Sequence, residues 1–320
     1  MVIFRHPGWL LCIFLLFSCS ETPKPVFRVA TNVWPGYEPF FLARSLGMFE
    51  KSPIRLVEMP SASQVAHSLR NGTVEAAALT LDETLTLIQD GDVDLRVVLV
   101  TDISNGADVL LGHADIANIQ ELRGKRVGVE NTATGAVVLD AVLQAAQLKA
   151  SEITLVPITV NDHLAAWQNN MVDALVTFEP VRSVILKSGA VDLFNSSQIP
   201  GRIMDVLVVR ADSIERNSSA LKQLVKGYFS ACDYLIRYPE DAAMRMAPRL
   251  GTEVQQVMPQ FEGLLLPSLS ENRKWLSPPE PTLDAVVKQL ALLMKQHQLL
   301  QGDIQADGLP EARFLPEISQ

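Results

Sequence analysis

The sequence predicts an α/β protein folded as two similar lobes joined by two crossover segments, with a ligand cleft between them. Three observations carry this. From Phe27 onward short apolar strands alternate with helices across short connections, the signature of parallel α/β units. The same order of elements then recurs, and Asn71-Gly72-Thr73-Val74-Glu75-Ala76 is echoed by Asn169-Asn170-Met171-Val172-Asp173-Ala174, each closing a helix and launching a strand. Finally, a chain of 320 residues that is 48% hydrophobic exceeds the ~250 to 300 residues at which single cores stop growing.

In the first half Phe27, Val29, Thr31 and Val33 alternate as a strand, which Trp34-Pro35-Gly36-Tyr37 breaks. A helix follows from Glu38 to Gly47, a residue type that ends helices. Ile54 to Met59 is the next strand, and Ser61 with Gln64 has the spacing of a capping box opening a helix that ends at Asn71-Gly72. Glu75 to Leu79 is a third strand. Thr80 with Glu83 repeats the box before a helix ending near Gly91, and Leu95 to Val100 is the fourth strand.

The second half reads as a strand at Arg126 to Val129, a helix at Thr134 to Leu148, a strand at Ile153 to Ile158, a helix at Asn161 to Asn169 and a strand at Ala174 to Thr177. Asp108 to Leu111 is expected to carry the chain out of the first lobe and Met204 to Arg210 to carry it back. That gives lobe 1 from 26–104 and 205–320 and lobe 2 from 105–204. Helices are expected at Ala220 to Arg237, Pro239 to Leu250, Glu253 to Leu264 and Leu283 to Leu299, with Asn272 to Pro281 a surface loop and an irregular tail from Gln301. The stripe Leu283, Val286, Val287, Leu290, Leu293 and Met294 marks the core face of the last helix.

The N-terminus bears on compartment. Arg5 and His6 precede an apolar run from Trp9 to Phe17, shorter than the ~20 residues a spanning helix needs, so residues 1–18 read as a signal peptide. Leu16-Phe17-Ser18-Cys19 resembles the bacterial lipobox, which implies a lipid on Cys19, a tether over 19–25 and attachment to a bacterial membrane facing the periplasm or cell exterior. Cys232 alone then remains as a thiol, so no intramolecular disulfide is expected. The net charge of -9 argues against nucleic acid as a partner. A monomer is expected.

Several stretches carry a family resemblance: Trp34-Pro35-Gly36-Tyr37-Glu38-Pro39 leading into Phe41-Leu42-Ala43 and Leu46-Gly47-Met48-Phe49, then Val74-Glu75-Ala76-Ala77, Leu122-Arg123-Gly124-Lys125-Arg126-Val127-Gly128-Val129, and Val172-Asp173-Ala174. In these the chain resembles the nitrate, sulfonate, taurine and thiamine-precursor binding proteins of ABC importers. The resemblance spans nearly the whole chain after the leader. It implies a type II periplasmic-binding-protein fold whose lobes close over a small molecule, and an ABC permease as partner.

Strand ends locate the cleft independently, because ligands of open parallel sheets bind beyond the carboxyl ends of the strands, where helix N-termini offer free N–H groups. The candidates are Asn32, Trp34, Gly36 and Tyr37 after the first strand, Ser61 and Ser63 after the second, and Thr80 and Asp82 after the third. In the second half they are Glu130, Asn131, Thr132 and Thr134, then Phe178 and Glu179, with Asp108 and Asp205 at the crossovers. Ser61, Thr80 and Asn131 equally suit helix caps, and Gly36 a turn. Glu83 is left out because its capping role suffices. With several carboxylates and no Lys or Arg at these positions, a cationic or neutral heterocycle or amine fits better than nitrate or sulfonate. Arg182 stands close enough to swing inward.

No cofactor or metal is expected. His6, His67, His113, His163 and His297 lack metalloprotease spacing, no G-x-S-x-G turn is present, and His67 and His163 read as surface residues. An enzyme resembling the yeast thiamine-pyrimidine synthase is therefore the weaker alternative. A ligand-sensing lipoprotein that docks on a membrane receptor would look identical in sequence.

Overall fold

A computed structural model describes residues 26–89, 93–302, 304, 306 and 308–317. The leader, Cys19, its tether and Gly91 lie outside these residues. The first half runs β1 (Phe27–Thr31), α1 (Glu38–Ser45), β2 (Ile54–Glu58), α2 (Ala62–Arg70), β3 (Ala76–Thr80), α3 (Leu81–Gln89) and β4 (Leu95–Ser104). Next come β5 (Val109–Gly112), β6 (Arg126–Val129), α4 (Ala133–Ala146), β7 (Thr154–Pro157), α5 (His163–Gln168), β8 (Ala174–Thr177), α6 (Val181–Lys187) and β9 (Val191–Asn195). The chain finishes with β10 (Met204–Arg210), α7 (Ala211–Arg237), α8 (Pro239–Leu250), β11 (Leu264–Leu265), α9 (Leu269–Leu276) and α10 (Thr282–Gln296).

Two mixed sheets result. The first has the order β11-β4-β10-β3-β1-β2 and the second β7-β6-β8-β5-β9. In each, three parallel strands launch the helices, while β10 in the first and β5 in the second run antiparallel to their neighbours. The segments expected to be crossovers are therefore strands. Val109 to Leu111 and Met204 to Val209 are buried throughout, and a buried backbone run needs ladder partners. The passages between sheets fall just outside them, at 105–108 and 196–203. Ser196 Oγ ties the two passages together, 2.7 Å from Ser104 Oγ and accepting from Gly106 N–H at 2.6 Å.

The C-terminal region departs most from expectation. In place of a helix over Glu253 to Leu264 stand two short 3-10 turns and β11. Pro259 would cost a helix interior an N–H, and Gly263 lies so close to the backbone at Ala107 that a Cβ would come within 2.6 Å of its nitrogen. Asn272 is not in a surface loop. It is fully buried on α9, where its side chain accepts from Val100 N–H at 2.7 Å and donates to Val100 O at 3.1 Å. The expected irregular tail likewise packs down: Leu309 O accepts from Val97 N–H at 2.7 Å, Glu311 N–H donates to Val97 O at 2.9 Å, and Phe314 is buried. Together β11, Asn272 and the tail cover the outer edge of β4, which would otherwise present unpaired backbone groups. Helix α7 also starts nine residues before Ala220, and its buried Tyr228 donates to Thr101 O at 2.6 Å, bracing β4 next to the cleft.

Candidate functional site

The cleft is built on one row of the first sheet. Register pairs Asp205 on β10 with Thr80 on β3 and with Asp102 on β4, so two carboxyls face each other across adjacent strands at the carboxyl end of β3 and β4. The loop after β1 covers this row. Trp34 Nε1–H donates to Asp102 Oδ1 at 3.1 Å, Thr101 donates its hydroxyl to Asp102 Oδ2 at 3.1 Å, and the Tyr37 hydroxyl donates to Asp205. Gly36 lets the loop lie against the carboxyls, because a Cβ there would sit 2.0 Å from Asp102 Oδ2.

The second lobe supplies the opposite wall. Glu130 follows β6, Thr132 caps α4 by accepting from Gly135 N–H at 3.1 Å, and Phe178 follows β8 beside Asp108. Contacts among the described residues join the walls. Ser63 donates its hydroxyl to Glu130 Oε1 at 2.8 Å, the hydroxyls of Thr80 and Thr134 are 2.7 Å apart, and Trp34 meets Phe178 edge to face at 5.4 Å between ring centres. A side-chain hydrogen bond of this kind contributes about 0.5–1.5 kcal/mol net. Ser63→Ala is therefore expected to weaken ligand capture about tenfold and to enlarge the scattering radius of the liganded protein, measured by titration and small-angle X-ray scattering.

Between the walls lies a cavity with about 50 Å³ open to the centres of water-sized atoms. Carboxylates of Glu83, Asp108, Glu130 and Asp205 line it together with Asn32, Thr80, Thr132, Thr134, Trp34, Tyr37, Phe178 and His163; no Lys or Arg does so among the described residues. Burial raises the acids. Asp108 is pushed up to about 6, and its Oδ2 is buried without a hydrogen-bond partner. Burial, then the charge of Asp102, raises Asp205, and burial raises Asp102. Glu83 rises through burial and the neighbouring Asp82, itself raised by burial and holding two unpartnered oxygens. Tyr37 is raised by burial and then by Asp205, so it stays a hydrogen-bond donor. His163 is instead lowered to about 4 by burial, with Thr177 Oγ1 at 3.1 Å and Ile158 O at 3.2 Å on its two nitrogens.

Of the sequence candidates, Asn32, Trp34, Tyr37, Thr80, Asp108, Glu130, Thr132, Thr134, Phe178 and Asp205 line the cavity. Six stand elsewhere. Gly36 backs the wall behind Asp102, and Ser61 caps α2 through Gln64 N–H. Ser63 and Asn131 border an outer groove. Asp82 is buried behind the wall on α3. Glu179 faces away, accepting from Arg182 at 3.0 Å and from Ser183 N–H and hydroxyl at 3.1 and 2.9 Å, so Arg182 is held off the cleft as well. His163 corrects the surface reading, being 1% exposed. Glu83 and Asp102 were missed. Glu83 does form the expected box, with Thr80 N–H donating to it at 3.2 Å, yet the same carboxyl also faces the cavity.

A family model described as the NMT1-like family matches residues 20–251. The taurine-binding periplasmic protein of Escherichia coli (strain K12) is 25% identical over 221 residues, 66% of this chain and 68% of that protein. The alkanesulfonate-binding protein SsuA from Xanthomonas axonopodis pv. citri, solved bound to MOPS, superposes with a TM-score of 0.75 at 18% identity, covering 90% of this chain and 99% of its own. The desulfurization enzyme DszB superposes with a TM-score of 0.64 at 16% identity, over 91% of this chain and 98% of its own, so this fold houses binding and chemistry alike.

Proposed function

From the premise that the chain belongs to the NMT1-like family, we propose that it captures a small polar molecule outside the cytoplasm and delivers it to the permease of an ABC importer. The taurine-binding relative is periplasmic, and among the described residues no helix is long and apolar enough to cross a membrane. A lipid on Cys19 would hold the protein at the membrane surface. Capture proceeds by lobe closure about the two passages tied at Ser196, without a covalent step. The cavity wall supports this reading, since it offers carboxyls, hydroxyls and aromatic rings; Cys232, a half-buried thiol pushed up to about 12, is not part of it.

The ligand's head group is cationic, or a neutral heterocycle rich in N–H donors. The single observation that carries this is the unpartnered Asp108 Oδ2 in a cavity that also holds Glu83, Glu130 and Asp205 and no basic side chain among the described residues. A bare sulfonate or nitrate would meet carboxyls without a counter-charge. An amine, amidine or aminopyrimidine would meet acceptors, with Trp34 and Phe178 as the aromatic faces. A thermal-shift screen of the protein without residues 1–19 tests this, with amines, aminopyrimidines and other vitamin precursors against nitrate, sulfonates and bicarbonate. A ligand at 100 times its dissociation constant stabilises by about 2.7 kcal/mol. Upward shifts with the first group are expected; shifts with anions alone would remove the cationic head while leaving solute capture in place. For the anchor, Cys19→Ala is expected to move the protein from the membrane fraction to the soluble one.

A further inference from the structure

Behind the cavity wall two acids face each other where the first sheet departs from regular pairing. Asp205 on β10 pairs with Asp102 on β4, yet the next pair is Val206 with Val100, so Thr101 is an extra residue in β4. Neighbours along a strand point to opposite faces, as Asp205 and Val206 do. The bulge makes their partners Asp102 and Val100 do so as well, although residues two apart ordinarily share a face. Asp102 is thereby turned to the side of Asp205, and residues directly opposite in an antiparallel pair have Cβ atoms about 4.5–5.5 Å apart. Tyr228 donates to the carbonyl of the extra residue, which fixes the bulge.

Both carboxyls are buried, and they hydrogen-bond to one another. Ionised carboxylates only accept, so that contact needs a proton on one of the two. The other bonds around the pair come from neutral donors. Asp102 Oδ1 accepts from Trp34 Nε1–H and its Oδ2 from the Thr101 hydroxyl, both at 3.1 Å, and Asp205 accepts from the Tyr37 hydroxyl. The titratable groups facing the pair add no positive charge: Tyr37 after β1, Glu83 on α3, Asp108 in the passage, and Tyr228 and Cys232 on α7. Two like charges so close in a buried site do not both form readily. Of the two acids only Asp205 lines the cavity, so Asp102 acts through Asp205 and through Trp34, which lines it as well.

We propose that Asp102 and Asp205 share one proton and that Asp102 is a positioning residue of the site. It holds the Trp34 indole against the cavity wall and keeps the shared proton, so that Asp205 meets an arriving cation ionised. The proton passes from one carboxyl to the other, and the pair carries a single negative charge before and after. The arriving cation rests on the cationic-head reading above, whereas the shared proton and the hold on Trp34 are properties of the protein by itself. Asp102→Asn separates the two roles of the residue. Its amide can accept from Trp34 and donate to Asp205, as the protonated acid does, but it lacks the second charge that the pair acquires when its proton leaves at alkaline pH.

Two measurements on the full chain in mild detergent test this. In the first, tryptophan is replaced by 5-fluorotryptophan, and the fluorine resonance that disappears in Trp34→Phe is followed from pH 6 to 10. It is expected to titrate in the parent and to lose that titration in Asp102→Asn. A flat parent signal, or one that titrates alike in the variant, would overturn the shared proton. In the second, acetamidine, which stays positively charged over this range, is titrated calorimetrically at pH 6.5 and 9.5. Parent and Asp102→Asn are expected to bind it equally at pH 6.5 and the parent at least tenfold tighter at pH 9.5, where the pair is doubly ionised. Asp102→Leu, which offers the indole no acceptor, should weaken binding at both. An equal loss in Asp102→Asn at the two pH values would reduce Asp102 to a structural part and overturn its role in the charge of the site. If acetamidine binds none of the proteins while the Trp34 signal titrates as expected, the cationic head falls and the proton's passage with it, and the shared proton and the hold on Trp34 stand.

Discussion

Asp205→Asn is expected to raise the melting temperature at pH 8.5 by about 5 °C, corresponding to about 2 kcal/mol, while lowering ligand affinity at least a hundredfold. Asp205 is buried directly across from Asp102, and burial together with that charge raises it. A carboxyl raised in the folded state contributes stability that is complete below its unfolded value, here 3.8, and is lost as pH rises through the folded value. The parent should therefore melt lower at pH 8.5 than at pH 6. Asparagine can still accept from Tyr37 and can donate to Asp102, so it keeps the hydrogen bonds and drops the charge. The gain should shrink at pH 6, where more of the parent carboxyl is protonated. His163 acts in the opposite sense. Its value is lowered to about 4, so it contributes stability above 6.5 that is lost as pH falls toward 4, which offsets part of what the raised carboxyls gain over the same range. Melting curves from pH 4 to 9 for both proteins check this; a pH-independent difference between them would rule out the charge of Asp205 as its cause.

Gly36→Ala should do the reverse, destabilising the fold by about 1–3 kcal/mol and removing most of the binding. The reason is proximity and not backbone conformation. An added Cβ would stand 2.0 Å from Asp102 Oδ2 and 2.6 Å from Trp34 Nε1, two groups that hydrogen-bond each other. Asp102 has little freedom to retreat, because Thr101 holds that same oxygen and Tyr228 braces Thr101 from behind. The Trp34 ring would therefore move, and with it the contact to Phe178 across the cleft. Thermal melts and ligand titration measure both effects. Unchanged melting and affinity would mean that the loop relaxes freely and does not position Trp34.

The strand and helix grammar was legible because its local signals agree with the tertiary outcome: Ser61 caps α2 as its spacing predicts, and β1, β3, β6 and β8 stand where their apolar runs lie. The site was legible wherever a residue follows a parallel strand directly, as Trp34, Thr80, Glu130 and Phe178 do. It was not legible where a residue enters by another route. Asp102 stands inside β4 and reaches Trp34 and Asp205 behind the cleft wall because β10 pairs beside it in antiparallel register, a partner 103 positions away in the sequence. Glu83 has a complete local role as a cap, and nothing in one dimension shows that its carboxyl also borders a cavity. His163 opens α5 in a polar stretch, yet Thr177 and Ile158 draw its ring inward. Asn272 lies among polar and proline residues that suggest a loop, whereas its amide completes the edge of β4, a demand set by the sheet and not by its neighbours.

The most direct test of an acidic cavity that takes a cation is the sign of proton exchange on capture. Titration calorimetry at pH 7, in phosphate and in Tris, with the compound that gives the largest thermal shift, measures the protons exchanged from the dependence of heat on the buffer. A cation arriving among raised carboxyls stabilises their ionised forms, so release of protons to the buffer is predicted, diminished in Glu83→Gln, whose carboxyl is pushed up to about 8. Net uptake of protons would contradict it, because an anion entering the same cavity would draw protons onto the carboxyls.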